Sequence, residues 1–552
     1  MGRATILAPD FGEAVAPQEQ NHEVSFGSKE SDSREDVKAI ARAAILHLNG
    51  NTAEALRALQ ETAPKPESTE MALALGYIQC ELGNYTSAAE AYQELVEKEP
   101  DAAEAWFQWG FCLYKLGRPA NALERFEKAA SLRPDWIEIP LARAICHLSL
   151  KQHAEAFDRV GQCLGINPSY LPALFTKAVT FHVTWELEHA AELYRRVLEL
   201  DPTSAEALMN LITLGLQKKQ YTEVRSYSEK LAALQPDNPL GIEGLAAAAF
   251  HSEDYETASR HYARLTELAP GQVSHWLNLG VSKEKRGMLT EAAEAFRKAR
   301  DVRDDSVHAH TYLGAALWKA GDLEDARACY ERALSKWPEK EDLVLGLAQV
   351  LEELGSLDQA ATVCAQYCDT YPGHKLVWFR LGYLQYQLDR AEAAIEGFTQ
   401  ALKIAPVWAE ADLNLALACY RAGEMDRAES VLNALLTREP ANLDALKTLA
   451  MVTLAQGRNE RSLELHEKLL KQGGPDADVS YNCGVLAQRL DELPRAEKFY
   501  RDAIATRQSF AEALLNLGHV LDKLGRASEA REVWIPALEL RPELSLGYFR
   551  RT

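Results

Sequence analysis

Small, bulky apolar and helix-breaking residues recur along this chain every 34 positions, and that recurrence predicts paired helices throughout. Numbered from Thr69, fourteen units of 34 residues run to Leu544 without an insertion or deletion. Position 8 of the unit is Gly or Ala in thirteen units, among them Gly76, Gly110, Ala144, Gly280, Gly382 and Gly518, with Ile212 the exception. Position 20 is Ala in twelve, with Val224 and Ser462 departing, and position 32 is Pro in eleven, with Asp304, Gly474 and Gln508 departing. Apolar and small residues around positions 4, 7, 8 and 11 share one face of a first helix. Position 15 is often Gly, as in Gly117, Gly321 and Gly423, which suits a left-handed stop. A second amphipathic stretch follows, such as Ala292, Phe296 and Ala299, before the proline closes it. Each unit therefore predicts a helix-turn-helix whose apolar face is buried only by stacking on the next. A less regular unit, 36–68, precedes the in-phase repeats of 69–544.

Within this period, Trp276, Leu279 and Gly280, and again Trp378, Leu381 and Gly382, form one recurring cluster. Ala122 with Phe126, Ala190 with Tyr194, Ala326 with Tyr330 and Ala394 with Phe398 form another. On these residues the segment 36–544 resembles the tetratricopeptide repeat family. The resemblance implies an all-α, right-handed α-solenoid of about fifteen helix-turn-helix repeats. It also implies a concave surface lined by first-helix positions 2, 5, 6, 9, 12 and 13.

Those columns supply the candidate partner-binding residues. Positions 5, 9 and 12 are largely apolar and concentrate in two zones. The first holds Phe107, Phe111, Tyr114, Leu141, Ile145, Phe175 and Val179; the second holds Phe379, Tyr383, Tyr386, Leu417 and Tyr420. Extended apolar area of this kind marks a partner site, although packing between repeats would equally account for positions 5 and 12. Position 6 carries Asn210, Asn278, Asn414, Asn482 and Asn516, whose amides both donate and accept. This column resembles the asparagine ladder in the repeat region of O-GlcNAc transferases. Position 2 is often acidic, as in Glu138, Asp478 and Glu512, where a carboxylate favours the helix start. Arg143 and Lys177 stand at position 7, where ten of the fourteen units carry Leu. Each must pair internally, with Glu138 or Asp158 as candidates for Arg143, or reach water, or address an anionic group on a partner.

Length alone, 552 residues, would predict three or four domains; the repeat overrides that expectation. A hydrophobic fraction of 47% suits a folded core, and a net charge of −21 disfavours nucleic-acid binding. No apolar run approaches the ~20 residues that span a bilayer, and no signal peptide is recognised near Met1. Nine scattered cysteines suit a reducing, cytoplasmic setting. Residues 1–35 are polar and unpatterned and are expected to be a disordered tail. The stub 545–552 is expected to begin a further helix, leaving an end that a partner or a second copy would cover.

Catalytic and metal signatures fail on inspection. His466-Glu467 begins a zincin-like motif, but Leu470 stands where the second His is required. Cys364 and Cys368 occupy packing positions 24 and 28, and His308 and His310 diverge on their helix. No phosphate loop or nucleophile elbow occurs. The sequence therefore predicts no enzyme, no cofactor and no metal. It predicts a scaffold or adaptor holding a protein partner, as an extended segment or an amphipathic helix, in an apolar, Asn-lined groove. The alternative is a subunit that binds a folded enzyme through its convex face or C-terminal end.

Overall fold

The structure, a computed structural model, describes residues 33–62 and 68–545. The expected tail falls outside that range up to residue 32, and the stub falls outside it beyond residue 545. The first helix, Ser33–Leu48, begins inside the segment 1–35, with Glu35 and Asp36 in its first turn. Among the described residues there are thirty α-helices and a short 3-10 turn, Pro542–Leu544. The fold is the expected all-α solenoid of helix-turn-helix repeats. The chain forms two compact units, Met1–Arg286 and Gly287–Thr552, and within each the helices pack on those adjacent or next but one in chain order.

The hairpins keep the phase of the sequence. In Ala103–Lys115 and Pro119–Leu132 the first helix fills positions 1–13 and the second 17–30, and nearly every in-phase unit repeats these bounds. The helix Glu138–Ser149 starts one residue late. Pro140 then falls in its first turn, where a missing N–H has no intrahelical partner to lose.

The turn explains position 15. In each in-phase unit that residue has positive φ, in eight units as Gly and in six as Lys151, Trp185, Lys219, Glu253, Asp389 and Asp491. The residue after it donates its N–H back to the carbonyl of position 11: Arg118 to Leu113 at 2.9 Å, Glu186 to Phe181 at 2.9 Å. This is the Schellman closure, and it forces a left-handed residue whatever its side chain.

Where position 8 is Gly, as at Gly76, Gly110, Gly314, Gly382, Gly484 and Gly518, a ring from position 24 lies against it. A Cβ on Gly110 would stand 2.7 Å from Phe126, and one on Gly484 2.6 Å from Tyr500. Tryptophan at position 4 clips one repeat to the one before it. The indole N–H of Trp106 donates to the carbonyl of Pro100 at 2.8 Å, Trp276 to Pro270 at 2.9 Å, and Trp378 to Pro372 at 3.0 Å. Where Asp304 replaces that proline, His310 replaces the tryptophan. Its Nε2 then lies 3.3 Å from the Asp304 carbonyl and 3.2 Å from its carboxylate. Position 34 serves the next helix: Ser204, Asn238, Ser306, Asn442 and Asp476 all cap its exposed N–H groups.

Candidate functional site

The first-helix face of the N-terminal unit keeps fewer of its predicted residues at the surface than the sequence suggests. Phe107, Leu141, Ile145, Phe175, Val179 and Asn210 are all buried. They are corrected from groove residues to core. The reason is geometric at Phe107, whose ring lies 5.3 Å from Phe126 and 4.6 Å from Trp136. The position-34 ring closes over position 5 and removes it from solvent. The same ring arrangement recurs at Phe379, with Phe398 at 5.5 Å and Trp408 at 4.6 Å, and at Tyr481, with Tyr500 at 5.8 Å and Phe510 at 5.0 Å, where it leaves the central ring half-buried. A cation covers each outer ring: Arg133 over Trp136, Lys375 over Trp408, Arg507 over Phe510. Sequence reasoning missed these triads, although Trp136, Trp408 and Phe510 share one phase and could have revealed them.

What remains accessible in the N-terminal unit is Phe111 and Tyr114, both half-buried and packed on the core beneath. Tyr85 meets Phe111 edge-on at 6.2 Å, and the Lys115 ammonium lies 5.6 Å above the Phe111 ring. Tyr77, one repeat earlier at the same position as Phe111, is 44% exposed.

The C-terminal unit has the more developed patch. Tyr383, Tyr386 and Tyr420 are half-buried against the core, and Leu417 and Phe379 are half-buried beside them in phase. The Arg421 guanidinium stacks 3.9 Å from the Tyr386 ring and donates to the Tyr386 carbonyl at 2.9 Å. Arg380, which takes the position-6 place that Asn holds elsewhere, lies 5.7 Å from the Tyr383 ring. It donates to Gln349 at 2.8 Å and pairs with Glu352, which also accepts from Gln387 at 3.0 Å. Arg380 is a residue the sequence reading passed over; its being the one charged side chain at position 6 was the available signal.

The asparagines do not act alike. Asn278 is half-buried and Asn482 exposed. Asn414 donates to the Glu410 carbonyl of its own helix at 2.8 Å, and Asn516 donates to the Tyr481 hydroxyl at 3.1 Å. These two amides each spend a donor internally. The acidic column also closes on itself: Asp478 pairs with Arg507 and Glu512 with Arg541.

Arg143 is corrected as to its partner. Its side chain, 15% exposed, pairs with Glu127 at 3.0 Å. Burial, then the neighbouring Arg159, lowers its pKa against the pull of Glu127. Lys177 is half-buried. Cys364 and Cys368 are buried, and His466 Nδ1 lies 2.8 Å from the Ser462 carbonyl, so these residues are absorbed by packing. Among the described residues, no group of three or more His, Cys, Asp or Glu could hold a metal. No helix there is long and apolar enough to cross a membrane.

Family models agree with this geometry. Models described as tetratricopeptide repeat match residues 39–61, 73–135, 244–306, 313–375 and 511–544. One described as the cytochrome c-type biogenesis protein H TPR domain matches 366–480. The chain is a tetratricopeptide repeat protein.

This tetratricopeptide repeat protein is 23% identical over 301 residues to the CTR9 homolog of Arabidopsis thaliana, covering 52% of the chain and 28% of that protein. It is 24% identical over 314 residues to the protein O-mannosyl-transferase TMTC3 of Homo sapiens, covering 53% and 34%. Against the peroxisomal targeting signal receptor of Candida albicans it is 26% identical over 202 residues, covering 35% and 34%. The chain thus spans about a third of the length of these relatives. Among solved structures it is similar to the APC/C hetero-tetramer Cut9-Hcn1, with TM-score 0.31, 16% identity, and coverage of 82% and 96%.

Proposed function

We propose that this protein is a non-catalytic interaction scaffold that holds a partner polypeptide on its first-helix faces. The contact residues are Phe111 and Tyr114 in the N-terminal unit, and Tyr383, Tyr386, Leu417 and Tyr420 in the C-terminal unit. Asn278, Asn414, Asn482 and Asn516 supply amide contacts beside them. The observation carrying this reading is the Tyr383–Tyr386–Tyr420 patch. Its rings are anchored on the core from below and fixed from the side by Arg380 and Arg421, so a partner meets a preformed aromatic surface and little ordering is required on binding. The Candida relative is by name a receptor for a targeting signal, in keeping with capture of a short segment. The transferase relative shares only a third of its length with this chain.

A second reading, a folded partner docked outside the first-helix faces, is favoured by Trp185 at 76% and Val407 at 82% exposure. Ile535 and Leu540, near the C-terminal end, are also exposed and would suit a second copy. Affinity capture from native lysate separates these readings. Phe111→Glu/Tyr383→Glu should lose the partner with helical content unchanged. If Trp185→Ser/Val407→Ser loses it instead, the second reading holds.

A further inference from the structure

The sulfurs of Cys80 and Cys112 lie 3.3 Å apart and share a hydrogen bond. They stand on the first helices of successive repeats, Thr69–Glu81 and Ala103–Lys115, so the contact spans two stacked hairpins. A disulfide needs ~2.0 Å, about 1.3 Å less than the present separation. Cys80 alone among the nine cysteines is not buried, which gives an oxidant one point of access. The hydrogen bond to Cys80, and then burial, push the Cys112 thiol well above its ordinary range. Cys112 is thereby held as the thiol, while Cys80, the more exposed member of the pair, is the sulfur that an oxidant reaches first.

We propose that Cys80 and Cys112 are a reversible dithiol–disulfide pair, closed in place by hydrogen peroxide. In the first step the Cys80 sulfur attacks the peroxide oxygen; the O–O bond breaks, Cys80 becomes a sulfenic acid and water leaves. In the second, the Cys112 sulfur attacks that sulfenic sulfur; the S–S bond forms, the S–O bond breaks and a second water leaves with the Cys112 proton. Two thiols are oxidised and one peroxide is reduced. A small dithiol reverses the bond by exchange. Closure fixes the first helices of the two repeats against each other beside Phe111 and Tyr114.

The test uses the reduced full chain treated with hydrogen peroxide, blocked with N-ethylmaleimide and digested without reductant. The expected product is a monomer in which the Cys80 peptide is linked to the Cys112 peptide, reversed by dithiothreitol. Its thermal midpoint should lie several degrees above the reduced form, because the bond constrains the unfolded chain. Cys80→Ser, with wild-type circular dichroism, should give neither linkage nor shift. Cys112→Ala should stop at a Cys80 sulfenic acid that dimedone captures. The proposal is overturned if the wild type itself stops at the sulfenic acid, links between chains, or keeps both thiols where glutathione in the same tube is oxidised.

Discussion

Trp185 shows how a repeat imposes conformation on a residue unsuited to it. Its φ of 65° lies in the left-handed region, where a side chain other than Gly is strained by about 1–2 kcal/mol. The Schellman bond from Glu186 nonetheless holds it there. Replacing Trp185 by Gly should stabilise the fold by up to ~1 kcal/mol in urea unfolding, the entropy of Gly offsetting part of the relieved strain. The opposite pressure acts at position 8. Gly110→Ala would place a methyl 2.7 Å from the Phe126 ring, and overpacking there should destabilise by about 1–3 kcal/mol. His182 is buried, and neither ring nitrogen has a hydrogen-bond partner. Burial lowers its pKa from 6.5 to about 4. Between those values the unfolded chain binds the proton more readily than the folded one, so this contribution is full above pH 6.5 and is lost as pH falls toward 4. The thermal midpoint of wild type should therefore drop more from pH 7 to pH 5 than that of His182→Phe.

At the scale of the helix pair, the clip between positions 4 and 32 is where sequence and energetics meet. Trp276→Phe keeps the ring but removes the N–H that reaches Pro270, and should cost about 1 kcal/mol. The repeat that carries Asp304 and His310 solves the same problem with another chemistry. Lys336 and Arg332, together with His310, hold the Asp304 carboxyl at about 2. The stability this gives is present above the ordinary value of 3.8 and is lost as pH falls toward 2. Asp304→Pro and His310→Trp should each destabilise alone, while the double variant recovers stability by restoring the arrangement of the other repeats. A double-mutant cycle in urea should give a coupling on the order of 1 kcal/mol. Neither member of this exchange is informative alone in the sequence: Asp304 reads as a missing proline and His310 as a stray histidine. Their relation appears only when position 4 of one unit is set against position 32 of the unit before it.

At the scale of the whole chain, contacts within each unit run between helices adjacent or next but one in chain order, so the stability of each is close to a sum of repeat and interface terms. Gly110→Ala should therefore speed hydrogen exchange in the helices from Thr69 to Ser149 while leaving those beyond Gly287 unchanged. The helix-turn-helix character of the in-phase units was legible in the sequence. Local rules act at fixed offsets: a left-handed stop at 15, small residues at 8 and 20, a proline at 32. The same local rules cannot say which apolar residue is left at the surface. Phe107 and Phe111 are four apart on one helix and equally aromatic, yet Trp136 covers the first, while the second is only half-buried. For Arg143 the sequence offered Glu138 or Asp158 as partner, but the preceding hairpin places Glu127 beside it. Cys80 and Cys112 became a pair only when two first helices stacked. Periodicity determines the backbone because each helix and turn depends on residues close in the chain. Accessibility and pairing depend on what the next repeat lays over them, and tertiary packing alone decides that.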